Sequence, residues 1–371
     1  MTDAPTRVQI PVIIVATSPF TTIILDEADR FDATLDQINT NTYDRLKFCR
    51  TTMAVNGYLP ELTQENIGVI VGYTGSFLYP RMRGVTKSTV ISSVNKILLR
   101  LMFGGVVFNS VSPDDIGFGI LYGTGYYLAA GGTSGKSYSL LNALQFQSAS
   151  SFDTIQLIEP RSFTKADFQS AIAKGTLVVE QVPQINASMF LDGITHYLHY
   201  QLASALVFLW STTETLINKI WEDKIIPKGK GIVGRSDFVK SNIWQSAFKA
   251  EVLFQMGLIS DNLYSKLNEG RAARNKLSHR GESPTLEQCE HALEVTFSLV
   301  SLVVTACERE KEFADLIADF KRQHAPLTGP LEPKFWMEIP AVPGDEKWGD
   351  KPYPRHREIE LILLEQIKRR G

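Results

Sequence analysis

The sequence predicts an α+β domain, followed by an all-α helical bundle and a proline-rich tail. Short runs rich in Ile and Val mix with helical patterns up to about residue 182, and almost pure helical periodicity follows from 185 to 320. Seven prolines then fall between positions 326 and 354, so this tail cannot be one continuous helix. The predicted units are therefore residues 1–182, 185–320 and 324–371, the last ending in a short helix.

Strand signals in the first unit are runs of β-branched residues. Residues 8–16 and 21–25 are rich in Ile and Val and predict strands. Residues 67–79 predict a strand and a turn, and residues 176–182 (TLVVEQV) predict a last strand.

Helix signals in the first unit come from spacing and capping. Residues 35–53 predict one helix and residues 87–103 another, because the apolar positions of the second recur at three and four residues. Thr164 followed by Asp167 forms a capping-box pattern, which predicts that a further helix opens there.

The second unit reads as four helices. They are predicted over residues 187–223, broken at most once, over 237–257, over 260–279 with Ser260 as the cap, and from Ser283-Pro284 onward. Residues 224–236 contain KGKGIVGR and predict a basic, glycine-rich loop. Helices with short connections of this kind are typical of a bundle.

Composition narrows the class of protein. The net charge is -2, so only a local basic surface could bind nucleic acid. The three cysteines are far apart and show no CxxC spacing, which disfavours a disulfide framework and a zinc site. The start lacks a signal-peptide pattern, and the apolar stretch over 295–306 is too short to span a bilayer. We expect a cytoplasmic protein with no membrane partner, no metal and no cofactor.

The most informative segment is residues 260–281, SDNLYSKLNEGRAARNKLSHRG. One helical stripe holds, at alternating spacings of four and three, Leu263, Leu267, Gly270, Arg274 and Leu277. An arginine on a packing stripe is costly to desolvate unless an anion meets it. We therefore single out Arg274.

His279 follows Arg274 by five residues, which is a rotation of about 140° on an ideal helix. The two side chains would not converge on an unbroken helix. Two arrangements remain open: the helix ends near His279 and lets it swing back, or a two-fold dimer brings Arg274 of one chain near His279 of the other.

RNKLSH, residues 274–279, resembles the Arg-x(4–6)-His signature of HEPN domains, with a polar residue, Asn275, directly after the arginine. The long apolar helix ASALVFLWSTTETLINKIW before it and the strongly apolar last helix resemble the Apea-like branch of that family. The resemblance covers roughly residues 185–320. Residues 1–182 resemble no family by motif.

The resemblance implies a homodimeric, metal-independent endoribonuclease, plausible as a toxin or antiviral effector. Arg274, Asn275 and His279 would be catalytic, with RNA cleaved by its own 2′-OH. Arg271, Lys276 and Glu214 are candidate substrate-binding residues, although solvated surface residues fit the same pattern.

Alternatives stay open beside the nuclease. The same helices could form a non-catalytic dimeric scaffold, in which Arg274 and His279 cap a helix end and pair with carboxylates. The first unit could bind a regulatory protein or a small ligand.

Two motifs point elsewhere. AGGTSGKS, residues 130–137, fits a loose phosphate-loop pattern, and ILDEADR, residues 24–30, resembles the acidic motif of an ATPase. Their order is reversed relative to ATPases, so we disfavour an NTP-binding function. His196 and His199 are interpreted as core or interface residues, and His291 as a surface residue.

Overall fold

The computed structural model describes residues 9–19, 21–24, 52–55, 69–72, 75–81, 85–122, 127–131, 161–240, 243–304, 310–322 and 324. In this part of the chain an antiparallel sheet is followed mostly by helices, which agrees with the predicted α+β start and helical continuation. The tail over 325–371 and residues 132–137 of the glycine-rich loop lie outside the described residues, so the predictions for them stay predictions.

Two sheets are formed by the described strands. Their bounds are β1 Gln9–Val15, β2 Thr21–Ile24, β3 Thr52–Val55, β4 Val69–Gly72, β5 Phe77–Pro80, β6 Ile116–Tyr122, β7 Tyr127–Gly131 and β8 Arg161–Thr164. The larger sheet is antiparallel with the order β3-β4-β5-β1-β6-β7, and β2 pairs with β8 in parallel. The central strand, β1, buries Val12 through Val15 on both faces, which explains its continuous apolar run.

Nine α-helices are described. They are α1 Lys87–Phe103, α2 Lys165–Val179, α3 Ala187–Leu198, α4 Leu202–Lys224, α5 Arg235–Lys240, α6 Ser246–Gln255, α7 Asp261–Arg280, α8 Leu286–Val303 and α9 Glu310–Arg322. Within the described residues, no helix is long and apolar enough to cross a membrane.

Helix α1 has the predicted bounds and the predicted buried face. Thr86 caps its first turn by accepting from the Thr89 amide at 3.1 Å. The apolar residues at three- and four-residue spacing are all buried: Val90, Val94, Ile97, Leu98 and Leu101.

Helices α1 and α2 cross at close range through two glycines. A Cβ built on Gly104 would lie 2.0 Å from the Ala171 carbonyl oxygen, and one on Gly175 would lie 1.7 Å from the Arg100 carbonyl oxygen. Both neighbours are backbone atoms, which cannot turn aside as a side chain can. Glycine is therefore required at both positions.

The strand predicted over residues 176–182 is wrong. The Thr164–Asp167 capping box does open α2, as predicted, but the helix continues through Val179. Its residues bury at helical spacing against α1, and this packing overrides the strand preference of a β-branched run. Residues 52 and 53, the end of the helix predicted over 35–53, lie in β3; residues 35–51 are outside the described part.

Most of the later helices agree with the sequence. The break expected within 187–223 falls between α3 and α4, where Tyr200 has a φ of +57°. The helix predicted over 237–257 is two helices, α5 and α6. The last predicted helix begins later than Ser283, because Thr285 forms the capping box with Gln288.

Apolar packing runs without interruption across the boundary predicted near residue 185. The Phe103 ring of α1 stacks on Phe190 of α3 at 5.7 Å and meets Phe297 of α8 at 6.2 Å and Phe313 of α9 at 5.8 Å. Asn95 of α1, itself buried, donates a hydrogen bond to Ser188 of α3 at 3.1 Å. The described residues up to His324 belong to one compact unit.

The C-terminal end of α9 leads to a buried histidine. His324 is 7% exposed, and neither ring nitrogen has a hydrogen-bond partner among the described residues. Its ring meets Tyr197 edge-on at 4.6 Å and Tyr200 at 4.1 Å. Burial lowers the pKa of the His324 imidazole, and it outweighs the nearby Tyr197 backbone and the Glu290 carboxylate, which act in the opposite direction.

We expect Gly175→Ala to destabilise the protein by about 2 kcal/mol or more, because the α1 backbone must move to admit the methyl group. Gly270→Ala is the matched control. The nearest atom to a Cβ at Gly270 is in the Trp210 ring at 3.8 Å, so the same change should raise stability by up to ~1 kcal/mol through helix propensity. Urea unfolding followed by circular dichroism measures both, and equal effects would contradict the close crossing.

We expect acid to destabilise the wild type through His324. Because its folded pKa is lowered, the unfolded state takes up the proton first as the pH falls below about 6.5, and the thermal midpoint should drop between roughly pH 7.5 and 5.5. In His324→Phe, which keeps a ring but cannot titrate, the drop should be smaller. Parallel midpoint curves for the two proteins would contradict this role.

Candidate functional site at the end of helix α7

Helix α7 carries the Arg274–His279 segment and is continuous to Arg280. Ser260 caps its start by accepting from the Leu263 amide at 3.3 Å. Gly281, with φ +69°, ends it by donating its amide to the Leu277 carbonyl at 3.0 Å. The helix end is therefore close to the predicted position, but His279 is still part of the last helical turn.

The buried face of α7 is the predicted stripe with one addition. Leu267, Gly270 and Ala273 are buried, and Gly270 faces the Trp210 ring of α4. Arg274 lies one turn beyond Gly270 at the edge of this face and is half-buried. A Cβ at Gly270 would lie 3.8 Å from the Trp210 ring, which is ordinary van der Waals contact.

Ion pairs fix α7 against α8. Lys266 pairs with Glu294, and the His291 Nδ1 lies 2.7 Å from the Glu269 Oε2. His291 is thus a partly buried partner of α7, and its interpretation as a surface residue is corrected. Burial alone would raise the pKa of Glu294, but its bonds to Lys266 and Lys321 outweigh burial and lower that pKa.

Arg274 makes one hydrogen bond within the described part of the chain. Its Nη1 donates to the Asn275 Oδ1 at 3.3 Å. Neither Arg274 nor His279 forms an ion pair with any carboxylate that the structure describes. The guanidinium therefore keeps most of its donors for an outside anion.

Within one chain, the structure does not bring Arg274 and His279 together. Because the helix is unbroken, their side chains leave it about 140° apart. His279 is exposed and leaves the helix on the side opposite to the buried face. It shares a row, at spacings of four, with Arg271 and Asn275, so Asn275 belongs both to this outer row and to the Arg274 contact.

The end of α7 is locally basic. Residues 271–281 contain four lysines and arginines and no carboxylate. Arg280 lies 3.6 Å from Glu282 in an exposed pair, which is a weak interaction in water. Lys276 is exposed on a different side of the helix from the outer row. A phosphate chain following this surface would meet cations on both sides of His279.

Glu214 does not reach this region. Helix α4 runs parallel to α8, since Leu202 contacts Cys289 and Thr213 contacts Thr296. Helix α7 runs antiparallel to α8, since Glu269 contacts His291 and Lys266 contacts Glu294, so α4 and α7 are antiparallel. From the Trp210–Gly270 contact, Glu214 and Arg274 each lie four residues away in opposite directions, about 12 Å apart along the helices. Glu214 is half-buried on α4 and has no ion pair with Arg274, both being described residues.

A cavity of about 410 Å³ lies near the opposite end of α7, between α7, α8 and α9. Leu258, Leu263, Phe297 and Phe313 line it, and Lys266 with Glu294 stand at its wall. It contains neither Arg274 nor His279. His279 is exposed and Arg274 is half-buried, so the two are presented differently on one chain.

The other histidines of interest make structural contacts. His196 hydrogen-bonds Gln201 and stacks on Phe208 at 5.5 Å, and His199 lies 3.5 Å from the Asn109 amide nitrogen. Across the described residues, no group of three His, Cys, Asp or Glu side chains could hold a metal ion. Of the two ATPase-like motifs, only Ile24, Ala130 and Gly131 are described, each within a strand.

Neither a family model, nor a curated protein sequence, nor a solved structure matches this chain.

Proposed function

We propose that this protein is a metal-independent endoribonuclease of the HEPN type, whose site is assembled from two copies of the chain. One observation carries the proposal. Arg274 sits at the edge of the packing face, bonded to Asn275 and free of any described carboxylate, on a basic helix end that also presents His279.

The residue types suit RNA cleavage. An arginine with free donors can hold a phosphate in a bidentate fashion and stabilise its developing charge. A histidine near neutral pH can take the proton of a ribose 2′-OH or give one to the leaving 5′-oxygen. Asn275 holds the guanidinium in place and can orient the phosphate. The products are a 2′,3′-cyclic phosphate and a 5′-OH end.

The geometry supports two chains over one. His279 faces away from its own chain, in the row that it shares with Arg271 and Asn275. Two α7 helices packed antiparallel on the side that lies between Arg274 and His279, about a two-fold axis level with the middle of residues 274–279, would set Arg274 of each chain near His279 of the other. The composite cleft would then carry the cations of both helix ends.

The proposal also covers the fold of the helical part. We assign the helical part to a HEPN-like four-helix bundle, supported by the packing of α4 against α3, α7 and α8. A role as a toxin or antiviral effector in the cytoplasm follows from the HEPN resemblance. The N-terminal sheet unit or the tail would then restrain the enzyme.

We expect His279→Ala and Arg274→Ala each to lower the rate of RNA cleavage by about 10²–10⁴, because each removes a group that acts on the reacting phosphate. Purified full-length protein, total RNA and EDTA are sufficient for the assay, with mapping of the 2′,3′-cyclic phosphate ends. Lys240→Ala, an exposed cation far from the α7 end, is the matched control and should cleave normally. Cleavage by both site variants at the wild-type rate would contradict the assignment.

An inactive wild type that forms dimers would instead favour the non-catalytic scaffold. Cleavage abolished by EDTA would exclude the metal-independent mechanism. These two outcomes separate a wrong activity from a wrong chemistry.

We expect a mixed dimer of one Arg274→Ala chain and one His279→Ala chain to regain about half of the wild-type activity. In a composite site, one of its two clefts receives an intact arginine and an intact histidine, and the other receives neither. Co-expression with two different tags allows the mixed dimer to be purified and assayed beside each parent. A mixed dimer as inactive as its parents would show that each chain builds its own site.

A further inference from the structure

Exposed apolar side chains are concentrated in one short stretch of the chain. Of the twelve large hydrophobic residues exposed in the described part, five lie within residues 232–248: Ile232, Val233, Phe238, Ile243 and Phe248. The other seven are distributed among seven separate places, which is ordinary for a protein surface. A cluster of this kind usually marks an interaction site.

The apolar residues protrude at the tip of a loop. Gly231 and Gly234, with φ values of +78° and +73°, bracket Ile232 and Val233. Val233 is fully exposed at 102% and Ile232 is half exposed at 51%. The backbone thus leaves Val233 fully open to solvent and Ile232 half open to it.

Basic residues flank this tip on both sides in the sequence. Residues 224–240 contain five basic side chains and one acidic one, Asp237, in a chain whose total charge is -2. The five basic residues are exposed and have no carboxylate partner among the described residues: Lys224, Lys228, Lys230, Arg235 and Lys240. Within the part of the chain that the structure describes, these cations are therefore left without an ion-pair partner.

The base of the loop is anchored. The Trp221 indole donates to the Val239 carbonyl at 3.0 Å, and the Trp244 indole donates to the Phe238 carbonyl at 2.8 Å. The two indole rings lie 5.0 Å apart. Hydrogen bonds at these two points fix the chain that follows the tip, so the apolar pair and its cations are presented together.

We propose that this loop, residues 228–238, docks on the surface of an anionic lipid bilayer. Ile232, Val233 and Phe238 enter the boundary between headgroups and acyl chains, and the surrounding lysines and Arg235 contact the lipid phosphates. The expectation of no membrane partner came from the lack of a spanning segment, and a surface contact needs none. This proposal goes beyond the ribonuclease proposal and does not depend on it.

Other occupants explain less of the surface. If a second copy of the chain bound here about a two-fold axis, the basic residues of one loop would face those of the other and repel them. RNA would satisfy the cations but leave Ile232 and Val233 in water, since aliphatic side chains gain nothing from phosphates. At the surface of an anionic bilayer, the apolar tip contacts the acyl chains and the flanking basic residues contact the lipid phosphates.

Co-sedimentation of the full-length protein with sucrose-loaded vesicles tests the proposal. We expect binding to phosphatidylcholine vesicles that contain one-third phosphatidylglycerol, and little binding to phosphatidylcholine alone. Val233→Asp should weaken binding by about 10-fold or more, because it places a charge at the inserted tip. Lys228→Ala combined with Lys230→Ala should weaken it by roughly 25-fold, at about 5-fold for each cation.

Leu177→Asp is the matched control, since Leu177 is also an exposed aliphatic residue, at 57%, but lies on α2 outside the cluster. It should bind vesicles as the wild type does. No binding of the wild type to the anionic vesicles would overturn the proposal, as would a Val233→Asp variant that binds normally. Tighter binding to single-stranded RNA than to vesicles, lost with the lysines but kept in Val233→Asp, would assign the loop to RNA instead.

Discussion

Contacts between phenylalanine rings of four helices join the predicted first unit, residues 1–182, to the helices that follow it. Phe103 lies on α1 in the first unit, and the rings that it contacts lie on α3, α8 and α9: Phe190, Phe297 and Phe313. Each large ring buries much apolar surface and prefers offset or edge-on contacts with its neighbours. Because α8 also carries the ion pairs that set α7 in place, the position of the candidate site depends on this cluster.

Local signals predicted the helices better than the strands, since no strand was predicted for β3, β6, β7 or β8. Helix α1 and the caps at Thr164 and Ser260 follow from spacing and from hydrogen bonds that lie within a few residues. The strand predicted over 176–182 was wrong because the deciding contact, Gly175 against α1, joins residues far apart in the sequence. No local pattern indicated that Phe103 would pack beyond the boundary predicted near residue 185.

The candidate site was foreseen in its residues more than in its geometry. Helical periodicity placed Arg274 on the packing stripe and His279 off it. Gly281 indicated the end of the helix. The lack of a carboxylate partner for Arg274 could not be predicted, because it depends on which neighbours α4 and α8 present. The separation of Glu214 from Arg274 could not be predicted either, because it depends on the register of α4 against α7. The Trp210–Gly270 contact sets that register. The exposure of Val233 likewise required the folded loop.

The ring cluster also sets an order of events during synthesis. Phe103 leaves the ribosome roughly 210 residues before Phe313, which is a delay of about 10–40 s at ~5–20 residues per second. Throughout that interval the Phe103 ring lacks at least one of the two rings, Phe297 of α8 and Phe313 of α9, that contact it in the finished protein. Phe103 on the nascent chain is thus exposed without its full set of partners for most of translation. The yield of folded protein in a cell will depend on what covers this apolar residue until Phe313 has been synthesised.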